Sequence, residues 1–409
     1  MFYFRSLWAH ISLSFDSGKE MRTVYTLRFL RDLVNVMGYF FLPIFLFETG
    51  KKMAIFSQFD LNDFQTGMIT IALFFITERL VVAMTAIPVG KLITKIGFNK
   101  AILVSVVLRA GFFGSLIFLE KYPLLFICAA FFEGLQGTFF WPSYFSLFSK
   151  HTRLGSVGKD LGMLQFGLQL LNVFVPAISG YIAFLFGFPA LFGVVLCLSL
   201  ITVILVLNMH SENTRDEISL TEFREWWQTE PEFVRLVTSA TGKYLNDSVL
   251  FLWPLYVFSI LGNVERVGYL YTFSLFLALL TIYFVGAYVD QAKNRKSFLF
   301  SGGFLSLTWL VRTQFLSIWG LAIIDAFEKL VANVHWLFYE VMTMHTVKGS
   351  QVLSYFVYRE MVLSIAAVLF WLVFGIFFWY GHSWNMLFIL GAIGVVLSMR
   401  MRGHHNETK

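Results

Sequence analysis

Two glutamates stand at the same place in two copies of one pattern. Phe132-Glu133, Leu135, Trp141 and Tyr144 recur as Phe327-Glu328, Leu330, Trp336 and Tyr339 with identical internal spacing. Each glutamate lies inside a long apolar run, about eleven residues from its outer end, which at 1.5 Å per helical residue is roughly 16 Å deep. An ionisable group at that depth costs about 2.5 kcal/mol or more, so it is expected to face a partner or a water-filled cavity. A buried carboxylate can also take up and release a proton, which makes Glu133 and Glu328 the proton-coupling candidates. On a helix, Glu133, Gln136, Phe140, Trp141 and Tyr144 share one face, and Asp325, Glu328, Lys329, Ala332, His335, Trp336 and Tyr339 form the matching stripe. Polar groups among aromatics suit the wall of a cavity for a partly polar ligand. An aromatic packing stripe between helices is the other reading of the Trp and Tyr residues.

More charges lie within apolar runs. Arg28 and Asp32, Lys243 and Asp247, and Asp325 and Lys329 are each four apart, the spacing of an ion pair within one helix. Arg31, Asp32, Lys243, Asp247 and His335 are the substrate-contact candidates, with Asn35, Gln136, Asn246 and Asp325 beside them and Trp141, Tyr144, Trp336 and Tyr339 shaping the pocket. Arg28 sits nearer an interface, where pairing within the helix, without function, carries equal weight. Glu78, Arg79 and Arg109 read as a structural salt-bridge set.

The elements that must position these residues follow from composition. The chain has 409 residues, 57% hydrophobic and 14% charged, with a mean hydropathy of +0.71, where soluble domains run near 25% charged. Crossing a hydrocarbon layer of ~30 Å takes roughly 20 helical residues, and the apolar runs give about twelve spans: 25–47, 66–92, 101–119, 122–148, 158–184, 187–208, 234–261, 265–289, 297–314, 317–343, 351–379 and 383–400. Lys and Arg crowd alternate loops and both tails, while the opposite loops hold only Lys51, Lys52, Lys121 and Arg266. The positive-inside rule then puts both termini in the cytoplasm, and the net charge of +6 reports topology rather than nucleic acid. Cys128 and Cys197 both fall in spans and read as small packing residues. No cleaved signal, ATP-binding loop, zinc helix or cysteine ligand cluster is read from the sequence, so no metal or cofactor is expected.

Residues 209–233 form the longest polar stretch and divide the chain into two six-span halves, 1–208 and 234–409. Ser219 followed by Glu222 is a capping-box signal, and Leu220, Phe223, Trp226 and Trp227 recur at helical spacing before Pro231. A short helix in the cytoplasmic interface is expected there, with a protein-binding loop as the alternative. Beyond the glutamate pattern, His151-Thr152 before Gly155-Ser156 is echoed by His345-Thr346 before Gly349-Ser350, and Asn35 with Pro43 by Asn246 with Pro254. Together these matches indicate duplication, one of the known transporter plans.

A third echo joins the loops after spans 2 and 8. The first reads Gly90, three residues, Thr94-Lys95, one residue, Gly97, one residue, Asn99-Lys100; the second reads Gly286, three residues, Asp290-Gln291, one residue, Lys293, one residue, Arg295-Lys296. With these loops the chain resembles the major facilitator superfamily, whose signature is Gly, three residues, Asp, a base, one residue, Gly, one residue, two bases. The resemblance implies an all-α membrane fold in which spans 1, 4, 7 and 10 line a central cavity. It also implies gating roles for Gly90, Lys95, Gly97 and Lys100, and for Gly286, Asp290, Arg295 and Lys296. The family's span 4 signature of Arg, two residues, Gln-Gly reads here as Glu133, two residues, Gln136-Gly137, with an acid in place of the cation. Arg359-Glu360 is the candidate compensating pair near the cytoplasmic gate. Pro176 and Gly180 are only a fragment of the drug-antiporter run.

The expectation is thus a monomeric secondary transporter moving a small organic solute by alternating access. Protons are the expected coupling ion, and the chain is expected in a lipid bilayer, that of a prokaryotic inner membrane. A transporter-like receptor or sensor is the alternative; a lipid-modifying enzyme would need a nucleophile and base that His151 and His345 do not complete.

Overall fold

Inside hydrocarbon each backbone N–H and C=O must find a partner within the chain, which an isolated helix achieves and an isolated strand does not. A computed structural model of the chain describes residues 19–53, 59–151, 157–207, 216–291, 295–347, 351–381 and 384–401, and every regular element among them is helical. The first half holds α1 (Lys19–Tyr39), α2 (Leu42–Lys52), α3 (Asp63–Ile96), α4 (Phe98–Ile117), α5 (Leu125–His151) and α6 (Val157–Leu207). A linker helix α7 (Leu220–Thr229) leads to α8 (Pro231–Leu261), α9 (Val264–Gln291), α10 (Arg295–Val311), α11 (Ile318–Val347), α12 (Val352–Trp379) and α13 (Trp384–Ser398).

Counting α1 with α2 as one crossing and dividing α6 gives the 12 crossings of two pseudo-symmetric halves. The division within α6 is a backbone break rather than a loop: Gly187 takes φ +80° just before Pro189, and helix runs on either side of it. The first crossing breaks at Phe40-Phe41, and Pro43 sits in the first turn of α2, where its missing N–H has no helical partner to lose. Its echo Pro254 stays inside an unbroken α8, so the repeated Asn and Pro positions do not bend both halves alike.

By length and composition, six stretches among the described residues are apolar enough to cross a membrane: Met21–Lys52, Asp63–Ile96, Phe98–Ile117, Leu171–Leu207, Pro231–Leu261 and Val352–Trp379. α5, α9 and α11 have 27, 28 and 30 residues, also long enough. Large apolar side chains such as Met84, Val107, Ile127, Phe186, Phe300 and Leu369 are exposed, while Arg31, Arg109, Glu133, Arg312, Asp325 and Glu328 are buried. That distribution is the reverse of a water-soluble core and is what a lipid-facing shell around a polar interior requires. Cys128 and Cys197 are free thiols on this exposed shell, not the interior packing residues expected from their place in the spans.

The halves meet along two seams, α3 against α12 and α6 against α9. Aromatic pairs join the halves at several places: Phe75 of α3 stacks on Trp371 of α12 at 4.6 Å, Phe40 before α2 meets Tyr271 of α9 edge-on at 4.4 Å, and Phe145 of α5 stacks on Phe356 of α12 at 4.6 Å. The linker is tied to the second half by polar contacts. Asp216 accepts from the N–H groups of Leu353 and Ser354 at 3.0 and 3.2 Å, so an acid from the linker caps the first turn of α12 from outside that helix. Ser219 caps α7 by accepting from Glu222 N–H at 3.0 Å, and its own N–H goes to the Tyr358 hydroxyl, which donates to the Glu222 carboxylate. Phe223 and Trp226 pack on Phe233 and Tyr358, while Leu220 and Trp227 remain exposed. The short helix is thus docked on α8 and α12.

Asp216→Ala should lower stability by about 1 kcal/mol, the usual effect of losing a helix cap. The checks are a lower unfolding midpoint and faster proteolysis of the linker, and Asp216→Asn, which keeps an acceptor, should retain most of the wild-type value.

Candidate functional site

Between the halves lies a cavity of about 280 Å³ lined by Arg28, Asp32, Asn35 and Val36 of α1, Leu168 and Asn172 of α6, Leu275 of α9, and Lys329 and Asn333 of α11. Both halves contribute to its wall, and its charges carry both signs. Each cation is neutralised from its own helix: Arg28 Nε donates to Asp32 Oδ2 at 2.7 Å, and Lys329 pairs with Asp325, which also accepts from Ser274. Lys243 and Asp247 on α8 form the third such pair, at 2.7 Å. All three four-residue spacings thus close as ion pairs. The Asp247 side chain is 45% exposed in the middle of its span, which in an interior position marks a face toward water.

The two halves repeat one arrangement. Arg28 lies over the Trp141 ring at 4.7 Å and Lys243 over the Trp336 ring at 4.7 Å, so each half sets a cation of its first crossing on the indole of its fourth. A desolvated cation–π contact of this kind contributes about 2 kcal/mol. Asn35 accepts from Arg109 of α4, and Asn246 accepts from Trp309 Nε1 of α10 at 2.8 Å, which ties first to third crossing in both halves. Asn35 and Asn246 also donate to Asp32 and Asp247. Tyr144 stacks on Phe140 beneath Arg28, and Tyr339 packs edge-on to Trp336.

The glutamates differ in their partners. Glu133 accepts from Gln136 Nε2 at 2.8 Å, and Gln136 Oε1 accepts from Arg31 at 2.5 Å. Arg31 lies 3.7 Å over the Phe140 ring and leaves its Nε and one further nitrogen without a partner. Glu328 faces Arg312 at 3.3 Å, both fully buried, and the guanidinium sits over Trp309 at 3.9 Å and Trp253 at 4.1 Å. Elsewhere Glu78 pairs with Arg79 and Arg359 with Glu360. Each of these ion pairs closes within one half.

His335 stands away from the cavity. Its Nε2 meets Ser398 Oγ at 2.9 Å, its Nδ1 meets Phe298 O at 3.2 Å, and its ring stacks on Phe298 at 4.5 Å, so it packs among α10, α11 and α13. The α11 stripe is split by this: Asp325, Lys329 and Asn333 turn inward, while Glu328 and His335 turn toward α10. Arg312, Asn172 and Asn333 were not singled out from sequence. Asn333 follows Asp325 and Lys329 in steps of four, so its place on that face is readable from spacing; Arg312 sits near the end of span 9, and its partner Glu328 lies on another helix.

The family pattern of the Major Facilitator Superfamily matches residues 27–264, more than half of the chain. The chain belongs to the Major Facilitator Superfamily. Two solved structures share its fold: a D-xylose-proton symporter, 13% identical with a TM-score of 0.63, and the superfamily transporter FucP in an outward conformation, 12% identical with a TM-score of 0.61. Each match covers 94% of this chain and 97% of the other. No curated protein matches in sequence. The chain is therefore an integral multi-pass membrane protein of a transporter family.

The loop residues of this superfamily member take definite places. A Cβ on Gly90 would lie 3.0 Å from Val357 of α12 and from Ile218 of the linker, so the glycine marks a close crossing of the two halves. Gly97 takes φ +84° between α3 and α4, a conformation that L side chains avoid. Lys95 and Lys100 are exposed. In the second loop Arg295 and Lys296 are exposed, and Gly286 and Asp290 fall in the last turns of α9.

Arg312→Gln should strand Glu328 in the interior and cost about 3–5 kcal/mol, as breaking one side of a buried pair does. In thermal unfolding of the purified protein the single variant should melt several degrees lower, and Arg312→Gln with Glu328→Gln should recover part of the loss. Equal midpoints for single and double variants would show that the two groups are not coupled.

Proposed function

We propose that the protein is a secondary active transporter that moves a small, polar, hydroxyl-rich or zwitterionic solute by alternating access, coupled to protons. The observation that carries this reading is the cavity shared by both halves, with charges of both signs and three asparagines in its wall. Its 280 Å³ is room for roughly nine water molecules at about 30 Å³ each, which suits a compact solute. An asparagine side chain carries both donors and acceptors, the pattern that hydroxyl groups match, and the cations already carry their own anions, which disfavours a solute with large net charge. The same wall disfavours an apolar drug. A structural neighbour whose name is D-xylose-proton symporter makes sugars reasonable first probes.

Glu133 and Glu328 are the proposed proton-sensitive groups. Contacts run from each to the cation pair of its own half: Glu133 through Gln136, Arg31 and the Phe140–Trp141 rings to Arg28, and Glu328 through Arg312, Trp309 and Asn246 to Asp247. A change of charge on either glutamate has these contacts through which to bias the cavity face. Residues of the two loops, Gly90, Lys95, Gly97 and Lys100 with Gly286, Asp290, Arg295 and Lys296, are proposed to gate the linker face. Both halves lie in one chain, so a monomer suffices.

In proteoliposomes loaded against a panel of pentoses, hexoses and amino acids, an imposed pH gradient should drive accumulation of the cognate solute. Glu133→Gln with Glu328→Gln should keep solute exchange and lose pH-driven accumulation by tenfold or more; unchanged pH-driven uptake would remove the coupling role. Asp32→Asn should weaken solute binding at the cavity and, because it leaves Arg28 without its anion, lower the unfolding midpoint as well.

The linker face is proposed to be cytoplasmic, from the weight of Lys and Arg on that side. A cysteine placed at the exposed Thr229 should react with an impermeant maleimide in inside-out vesicles and not in intact cells; the opposite pattern would invert the topology.

A further inference from the structure

A second, larger cavity of about 630 Å³ opens at the linker-face ends of α8, α10 and α13, remote from the solute site. Its wall is Arg235, Arg295, Leu299, Val396, Met399 and Arg400. The three arginines come from three helices at one level: Arg235 from the first turns of α8, Arg295 from the first residue of α10, and Arg400 from just beyond the end of α13. No acidic side chain lines the cavity, and none of the three arginines is ion-paired among the described residues. Arg28, Lys243, Arg312 and Lys329 each have an anion in contact, whereas these three guanidinium groups gather around one hollow with none in its wall.

The rest of the wall is apolar and faces outward. Leu299 and Val396 are 39% and 52% exposed, and the exposed surface continues along the same two helices through Phe300, Phe304, Ile393 and Ile389. A basic rim at the membrane surface above an apolar track along two helices matches a molecule with an anionic head and hydrocarbon tails. Guanidinium groups hold phosphate oxygens through paired, charge-assisted hydrogen bonds, and basic pockets between spans recognise anionic headgroups on electrostatic grounds. A free phosphate would satisfy the arginines and leave the apolar track without a role.

We infer that this cavity is a binding site for one anionic glycerophospholipid, its phosphate held by Arg235, Arg295 and Arg400 and its chains lying along α10 and α13. The lipid bridges the crossings that start at α8 and α10 to the last crossing, and gives Arg295 a task separate from gating. This site does not depend on the identity of the transported solute.

The test is native mass spectrometry and thermal unfolding of the full-length protein in detergent, with phosphatidylglycerol, phosphatidylcholine or inorganic phosphate added at matched concentrations. Phosphatidylglycerol should bind with 1:1 stoichiometry and raise the unfolding midpoint, and phosphatidylcholine should do neither. Each arginine changed to glutamine should weaken retention by roughly fivefold, the effect of one basic residue at an anionic lipid surface, and the triple variant should retain no more phosphatidylglycerol than phosphatidylcholine. Arg400→Gln, in an exposed position past the last helix, carries the test alone if the triple variant does not fold, and Arg400→Lys should rescue most of the binding. Equal binding of the two lipids, undiminished retention by the variants, or a phosphate effect as large as that of phosphatidylglycerol would overturn the inference.

Discussion

A charge in hydrocarbon has to be neutralised where it stands, and the interior of this protein is arranged around that requirement. An unpartnered Arg, Lys or Asp at mid-membrane costs about 2.5–3.5 kcal/mol on insertion scales, several times what an exposed ion pair contributes. The chain meets it locally. Arg28, Lys243 and Lys329 each find an acid one turn away on the same helix, and two of them rest on an indole face. Arg312, with no acid on its own helix turn, is held by Glu328 and two tryptophan rings. The aromatic content of 19% is therefore part of the electrostatics as well as the packing.

Local neutralisation leaves the seams between halves free for other contacts. Stacked and edge-on aromatic pairs cross between the halves, interactions of modest strength that tolerate sliding better than a directional ion pair. Polar ties between halves lie at the ends of the helices: Gln65 Nε2 donates to Trp379 O at 2.7 Å at one end, and the linker acid Asp216 caps α12 at the other. Nearer the middle, the contacts between halves are cation–ring ones: Arg79 of α3 lies over the Tyr244 ring of α8 at 4.9 Å and Arg359 of α12 over the Phe145 ring of α5 at 5.2 Å.

Much of this was legible in the sequence because duplication and charge depth are both linear signals. The shared Phe-Glu, Leu, Trp, Tyr pattern set the two halves in register, and the four-residue spacings of acid and base predicted three ion pairs that formed. The resemblance carried by the Gly90 and Gly286 loops named the family, and the match over residues 27–264 agrees with it. What sequence could not supply was rotation. His335 shares a nominal stripe with Lys329, yet a helix advances 100° per residue, and an error of one position turns a side chain from the cavity to α10. Arg312 was illegible for a different reason: its partner Glu328 is on another helix, and pairing across helices leaves no spacing to read. Asn172 likewise matters only because α6 brings it opposite α1.

That the buried cations are paired within their own half has an electrical consequence. A membrane potential of 100 mV acts on each elementary charge with about 2.3 kcal/mol, and a rearrangement feels it only through the net charge it displaces. Arg28, Arg79, Lys243, Arg312, Lys329 and Arg359 each travel with an anion of their own half, so their motion moves dipoles and little net charge. The cluster of Arg31 and Arg109 with Glu133 is the exception, with two cations near one acid. A displacement of that cluster would carry net charge of the protein itself, which a displacement of the paired cations would not.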